Sequence, residues 1–269
     1  MQRARVMKDN GQAKPTYYVQ SVDRAMDILE CFTFKRKELT QGEIIQQTGL
    51  NRTTVLRLLS HLSSRNYLKY DSQTRLYQLG NKMLELGGIA LSSISLRKIA
   101  GPYLTRLRNE IGHTILLGVR MEDDLVYVDK RDGKGVMVTT SEIGRRRPLH
   151  FGMLGMVLMA YLPRKEQMRI IKRHPLEHYT SKSITNDEEF ICRLDEIRED
   201  GFYIGREDVF EGIGGVSAPV LDQRGNVVAA LGFTMILSLL DRKDVVAETV
   251  EKVKSTALAI SAGLGNKVC

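Results

Sequence analysis

Three stretches of this 269-residue chain combine residue types and spacings that could do chemistry. The first runs Asn51-Arg-Thr-Thr-Val-Leu-Arg-Leu-Leu-Ser-His-Leu-Ser-Ser64. Val55, Leu58, Leu59 and Leu62 recur at helical spacing on one face, while Thr53, Arg57, Ser60, His61 and Ser64 point the other way. Short hydroxyls and a guanidinium on the outward N-terminal face of a helix suit a groove where base edges and phosphates are both within reach. Thr53 and Arg57 are the expected base readers.

The second stretch is Gly144-Arg-Arg-Arg-Pro-Leu-His-Phe-Gly-Met-Leu-Gly-Met156, a basic run that stops at Pro148 before Gly152 and Gly155 open an apolar helix. N–H groups at a helix N-terminus attract an anionic ligand. The same glycines would serve close helix-to-sheet packing, and the sequence leaves both readings open. The third stretch, His174-Pro-Leu-Glu-His178, matches the H-x-x-E-H zinc-peptidase string, which needs both imidazoles on one helical face. Pro175 pushes His174 out of the helical region, so a surface loop is expected. Gly212-Ile-Gly-Gly215 precedes a strand instead of opening a helix after one, which is the wrong setting for a dinucleotide. Neither a G-x-x-x-x-G-K-[ST] nor a G-x-S-x-G string occurs. Cys31, Cys192 and Cys269 lie far apart, without metal-ligand spacing, and no cofactor or metal is expected.

The elements around the first stretch give it a frame. Thr40-Gln-Gly-Glu-Ile-Ile-Gln-Gln-Thr48 is a shorter amphipathic run joined to it by Gly49-Leu50, which is helix-turn-helix punctuation, and Asn51 is a good N-cap. Upstream, Ser21 is expected to cap a helix with Ala25, Ile28, Leu29 and Phe32 on one face, ended by Lys35-Arg-Lys37. Downstream, Leu68, Tyr70, Leu76 and Leu79 flank a polar turn at 71–74, a two-stranded wing whose Lys69, Arg75 and Tyr77 could sit along a sugar-phosphate backbone. Residues 1–16 form a polar, basic arm expected to be disordered. A helix over about 81–95 carries Met83, Leu84, Leu86, Ile89, Ala90 and Leu91, too apolar to leave in water and expected to be buried between subunits or domains.

The remaining sequence, 96–269, changes character. An amphipathic helix over 96–111, interrupted near Gly101-Pro102, precedes short β-rich runs at 114–119, 125–130 and 136–141. Helices follow at about 152–162, 164–173 and 187–200, then strands at 216–221 and 227–234 and a closing helix at 242–263. Blocks of strands and helices with hairpin turns imply an α+β domain of the ligand-sensing kind, behind a mainly helical, winged domain at 17–80.

Composition agrees with that division. Net charge is +8, and residues 1–95 hold 14 Lys+Arg against 8 Asp+Glu while 96–269 hold 26 against 24. The positive excess sits with the helix-turn-helix, as attraction to phosphate requires. No run reaches eighteen apolar residues, so no membrane partner is expected. Three scattered cysteines fit a reducing cytoplasm.

Taken together, Val19-Gln-Ser-Val-Asp-Arg-Ala-Met-Asp-Ile-Leu29, Gly49 to Leu59, Tyr77-Gln-Leu-Gly80, Val126-Tyr-Val-Asp-Lys130, Gly144 to His150 and Ser217-Ala-Pro-Val220 resemble the IclR family of bacterial transcriptional regulators, from about Tyr18 to Gly263. The resemblance implies a winged helix-turn-helix, a linker helix and a GAF-like effector-binding and oligomerisation domain. It also implies homodimers or homotetramers on a double-stranded DNA operator. The DNA-facing set is then expected to be Gln20, Ser21, Thr40, Arg52, Thr53, Thr54, Arg57, Lys69, Arg75 and Tyr77.

Carried over by position, the family's effector pocket falls at Val136, Thr139, Arg147, Met153, Leu154, Gly205, Ile213, Gly215, Gly232 and Thr234, with Phe151 beside it. Gly205, Gly215 and Gly232 stand where an acidic residue, a cysteine and a serine are common in the family, and Met156 replaces a frequent lysine. Few polar side chains remain, so the expected effector is a partly apolar or aromatic organic acid with Arg147 as its charge anchor. The expected function is a ligand-responsive, sequence-specific transcriptional regulator of catabolic or related genes, without catalysis. An enzyme acting on a small organic acid with an appended nucleic-acid module is the alternative, and a ligand-independent architectural DNA protein is a further one.

Overall fold

The computed structural model describes residues 19–92, 95–134 and 141–266. The basic arm, most of the expected strand at 136–141, and the effector-pocket positions Val136 and Thr139 therefore lie outside the described residues. The chain divides into two compact units, Met1–Ser93 and Ile94–Cys269.

In the first unit, helices α1 (Gln20–Glu30), α2 (Gln41–Thr48) and α3 (Arg52–Ser64) pack with a small antiparallel sheet of β1 (Glu38–Thr40), β2 (Leu68–Asp71) and β3 (Leu76–Leu79), in the order β1-β3-β2. Ile28, Phe32, Leu39, Ile44, Val55, Leu59, Leu62 and Leu68 form its core. The start of α2 is fixed by a capping box: the Glu43 N–H donates to Thr40 Oγ1, and the Thr40 N–H donates to the Glu43 carboxylate at 2.7 Å. Gly49 ends α2 at φ 67°, a left-handed conformation that glycine adopts without a Cβ penalty, and the chain turns into α3. There the Asn51 side chain accepts the Thr54 N–H at 2.8 Å. After the wing comes α4 (Asn81–Ser92), which exposes Leu84, Leu86 and Ile89.

Two expectations for α1 are corrected. Ser21 is not its cap: the helix starts a residue earlier, and the Val19 carbonyl closes the first turn by accepting the Val22 and Asp23 N–H groups. Nor does Lys35-Arg-Lys37 end it. The helix stops at Glu30 because buried Cys31 and Phe32 turn inward, and a Thr33–Arg36 backbone pair then leads toward β1. The strand β1 was not expected from three residues of pattern; its pairing with β3, Leu39 opposite Tyr77, supplies what local sequence lacks.

The second unit is built on a six-stranded antiparallel sheet ordered β6-β5-β4-β9-β8-β7. Its strands are β4 (Thr114–Met121), β5 (Asp124–Arg131), β6 (Arg146–Pro148), β7 (Tyr203–Arg206), β8 (Ile213–Leu221) and β9 (Val227–Ile236). One face carries Ile115, Leu117, Val126, Val128, Val216, Leu231 and Phe233 and is covered by α5 (Ser95–Ile111) and α9 (Lys243–Gly263). The other face carries Leu116, Leu125, Tyr127, Tyr203 and Ala230 and is covered by α6 (Gly152–Ala160), α7 (Arg164–Arg173) and α8 (Asp187–Asp200). The period-2 alternation thus feeds two cores, one on each side. A 3-10 turn, Leu237–Asp241, links β9 to α9.

The expected interruption of α5 is absent, since the helix runs through Pro102. An interior proline costs about 3 kcal/mol. Leu96 and Ala100 before it and Leu104 and Leu107 after it are all buried on one face, and burial at about 1.5–3 kcal/mol per large apolar side chain outweighs that cost.

Candidate DNA-facing surface and effector pocket

On α3, Val55, Leu59 and Leu62 are buried, which leaves Arg52, Thr53 and Arg57 exposed on the opposite side. An open groove between α1 and α3 brings together Ser21, Thr54 and Arg57, three of the expected residues, with Arg24, Leu56, Ser60 and His61, which were not in the expected set. Arg24 was missed because α1 reads as packing, and only the tertiary fold lays it beside α3. Gln20, Thr40, Arg52, Thr53, Lys69 and Arg75 are exposed but outside this groove. Thr40 is occupied by its capping role.

The wing is held by Asp71, whose carboxylate accepts the Gln73 N–H at 2.8 Å. Arg75 stands at φ 58° at the end of the turn with its side chain exposed. Tyr77 is half-buried and packs on Tyr70 with ring centroids 4.6 Å apart, so its ring supports the wing and burial pushes its hydroxyl pKa up.

The second unit holds a partly open cavity between α6 and the sheet, about 500 Å³ with the space continuous with solvent included. Of the expected effector residues it brings together Phe151, Met153, Leu154, Gly205, Ile213 and Thr234. Leu116, Tyr127, Ser141, Asp208, Val209 and Phe210 join them. Thr234 lies on the α6 side of β9, and its Oγ1 is buried without a hydrogen-bond partner among the described residues. Tyr127 is hydrogen-bonded to Ser141, while burial raises its pKa.

Gly215 and Gly232 do not line this cavity. A Cβ at Gly215 would sit 2.1 Å from the Phe233 carbonyl and 2.6 Å from Met153 Cε, so backbone and Met153 already fill that space. A Cβ at Gly232 would meet the Val216 carbonyl at 2.8 Å and Leu154 Cδ1 at 3.0 Å. The choice between anion binding and close packing at α6 resolves toward packing for Gly155, where a Cβ would lie 2.1 Å from the Leu149 carbonyl. Gly152 is at φ 63° and lines the cavity. The Ser217 hydroxyl donates to the Met153 carbonyl at 3.0 Å and ties the first turn of α6 to β8.

Arg147, on the short strand β6, stacks its guanidinium 4.5 Å from the centroid of the Phe151 ring and is not among the lining residues. Phe151 meets Tyr179 and Phe210 edge-on, which makes an aromatic wall with Arg147 behind it. Asp208 was missed by sequence reasoning, as a polar residue in a loop gives no signal of direction. Its Oδ1 accepts the Tyr203 hydroxyl at 3.1 Å and the Arg206 N–H at 3.3 Å. Burial raises its pKa, and those two hydrogen bonds oppose the rise.

A second chamber, about 380 Å³, adjoins the first and shares Gly152, Asp208 and Val209 with it. His150 lines it, 7% exposed, with neither ring nitrogen partnered among the described residues, and burial lowers its pKa. The H-x-x-E-H stretch is not helical: His174 caps the end of α7 in a non-helical conformation and the residues after it leave the helix. Among the described residues no group of three or more His, Cys, Asp or Glu could hold a metal ion, and no helix is long and apolar enough to cross a membrane.

A winged helix-turn-helix with an open groove that presents Arg24, Arg57 and His61, joined in one chain to an α+β domain with a mainly apolar cavity, defines a DNA-binding protein with a separate sensor domain. Two family models match: the IclR helix-turn-helix domain over 21–72 and the bacterial transcriptional regulator IclR C-terminal domain over 88–262. The chain belongs to the IclR family of transcriptional regulators. It is 31% identical to the HTH-type transcriptional regulator XynR of Escherichia coli over 92% of this chain and 98% of that one. It is also 31% identical to KdgR of the same organism, over 92% and 93%. An IclR transcriptional regulator structure from Alicyclobacillus acidocaldarius superposes with TM-score 0.81 at 30% identity, covering 93% of this chain and all of that one. An IclR homolog from Microbacterium hydrocarbonoxydans complexed with 4-hydroxybenzoate shares the fold at TM-score 0.80 and 21% identity, over 91% and 98%. The protein is therefore a DNA-binding transcriptional regulator, and the alternative of an enzyme with an appended module falls away.

Proposed function

We propose that the protein is a homodimeric or homotetrameric regulator of catabolic or related genes, whose operator affinity is set by a partly apolar or aromatic organic acid bound on the α6 face of the sheet. Thr53 and Arg57 read bases; Gln20, Ser21, Thr40, Arg52, Thr54, Lys69, Arg75 and Tyr77 position the winged domain on the backbone. The observation that carries the effector assignment is the partly open cavity of about 500 Å³, walled by Phe151, Met153, Leu154 and Ile213 and holding the Thr234 hydroxyl, which has no hydrogen-bond partner among the described residues. Its size and mainly apolar lining suit a small organic molecule with few polar anchors. Arg147, one ring away from the cavity, is in place to meet a carboxylate that emerges past Phe151. The ligand acts only through different affinity for two arrangements of the chain.

The test is retardation of the gene's own upstream DNA by the full-length protein, with and without aromatic carboxylic acids. An acid that changes the operator affinity supports the reading; DNA binding indifferent to every acid in a broad set overturns it. Arg147→Ala is expected to weaken binding of an active acid by about 1.5–3 kcal/mol, the worth of a hydrogen bond to a charged group. Calorimetry decides: unchanged affinity removes Arg147 from the site.

A further inference from the structure

The geometry points to Asp208 as the residue that selects the inner end of the effector, and to a hydrogen-bond-donating head group of the hydroxyl type as what it selects. This rests on the reading of the α6-face cavity as the effector pocket. The carboxylate is fixed through one oxygen: Oδ1 accepts both the Tyr203 hydroxyl and the Arg206 N–H. No hydrogen bond reaches Oδ2 from the described residues. Oδ2 lies 2.5 Å from where a Cβ on Gly205 would be, so it takes the space that a side chain at 205 would fill. The missing side chain at Gly205 is what lets a loop carboxylate reach the cavity.

Among the described residues neither Lys nor Arg lines the cavity, and Arg147 stacks on the Phe151 ring. The charges near the pocket therefore differ in sign: a guanidinium against one face of the Phe151 ring and a carboxylate among the lining residues. An acid that places its carboxylate toward Arg147 presents its other end to Asp208. A second carboxylate there would face a like charge in a poorly solvated site. An ether would leave Oδ2 without a donor. A hydroxyl supplies one. The adjoining chamber extends the match, because Asp208 also lines it together with His150, whose two ring nitrogens are buried and have no hydrogen-bond partner among the described residues. A neutral imidazole offers one donor and one acceptor, and a hydroxyl can use either.

The experiment measures the binding of four probes to the full-length protein by calorimetry at neutral pH: phenylacetate, 4-hydroxyphenylacetate, 4-methoxyphenylacetate and 4-carboxyphenylacetate. The ring and the outer carboxylate are constant, and only the inner group changes. The 4-hydroxy compound is expected to bind about tenfold or more tighter than the 4-methoxy compound, the factor for a hydrogen bond to a charged group. The 4-carboxy compound should be weakest.

In Asp208→Asn the Tyr203 and Arg206 donors still need an acceptor, so the amide oxygen stays at Oδ1 and the NH2 takes the place of Oδ2. An acceptor becomes a donor. The hydroxy-over-methoxy preference should fall to within about twofold, too little for such a hydrogen bond, and the 4-carboxy compound should gain. Gly205→Ala provides an independent variant, because its methyl displaces Oδ2 while keeping the charge and should erase the same preference. If phenylacetate binds but the wild-type protein shows no hydroxy preference, or both variants keep it, the role of Asp208 is overturned and the pocket stands. If none of the four binds at millimolar concentration, the pocket reading falls and takes the role of Asp208 with it.

Discussion

Arg57 and Asp208 show how differently single residues come to matter here. Arg57 is exposed on the outer face of α3, in the groove beside Arg24 and His61, and a guanidinium there can reach guanine with two hydrogen bonds. Arg57→Ala is expected to cost about 1–3 kcal/mol of operator preference. Arg75, on the wing, should contribute to all DNA alike and to its salt dependence. Footprinting with operator and random duplexes would expose the difference; an unchanged ratio of affinities in Arg57→Ala would refute the assignment. Asp208 instead bears on stability against pH. Burial raises its folded-state pKa above the unfolded value of 3.8, so the folded state binds the proton more readily. Its contribution to stability is complete below that unfolded value and is lost as pH rises through the folded pKa. Asp208→Asn carries no such dependence, and its melting temperature relative to wild type should rise as pH climbs above the unfolded value of 3.8. Parallel melting curves across that range would contradict the shift.

At the scale of elements, local sequence does most at helix starts. The Asn51 cap and the Thr40–Glu43 box fix the starts of α2 and α3 and, with Gly49 between them, the angle at which the exposed face of α3 is presented. Asn51→Ala is expected to destabilise the winged unit by about 1 kcal/mol. Denaturant melts of the full-length protein, followed by a probe in residues 19–92, would measure it. A loss below a few tenths of a kcal/mol would mean that water replaces the cap at no cost. The sensor side depends less on such signals. The strand β6 has three residues and is placed by pairing Arg146 and Arg147 with Val126 and Leu125. That pairing brings Arg147 to Phe151.

For the whole molecule, the apolar stripe on α4 is the main unspent surface of the first unit. Leu84 is 79% exposed and Ile89 59%, on a helix with one ion pair, Lys82–Glu85, beside them. Such a stripe is costly to leave in water and suits association with a second copy. Under the proposed dimer, Leu84→Glu in the full-length chain should weaken self-association and, through the lost second half-site, operator affinity by tenfold or more, on the order expected when a linked contact is lost. Sedimentation equilibrium and DNA retardation on the same preparation test this together. An unaltered dimer would place the interface elsewhere.

The sequence by itself determined the elements with strong period or punctuation: the helix-turn-helix around Gly49 and Asn51, the wing, the alternating strands β4, β8 and β9, and α6 to α9. Those signals are local, since caps, turns and hydrophobic spacing act within a few residues. Together with the motif strings, they also made the family legible. What only the tertiary structure decided was anything set by contacts between distant residues. Pro102 stays within a helix because four side chains on both sides of it share one buried face. The strands β1, β6 and β7 exist because a neighbour supplies their hydrogen bonds. In the pocket, positional correspondence put Gly215 and Gly232 on the lining, whereas backbone and Met153 or Leu154 occupy their space. It could not indicate Asp208, whose carboxylate enters the cavity only because Gly205, on the adjacent strand, leaves room for it. Side-chain direction in a loop follows from which neighbours are absent, and a linear sequence does not state which residues are neighbours.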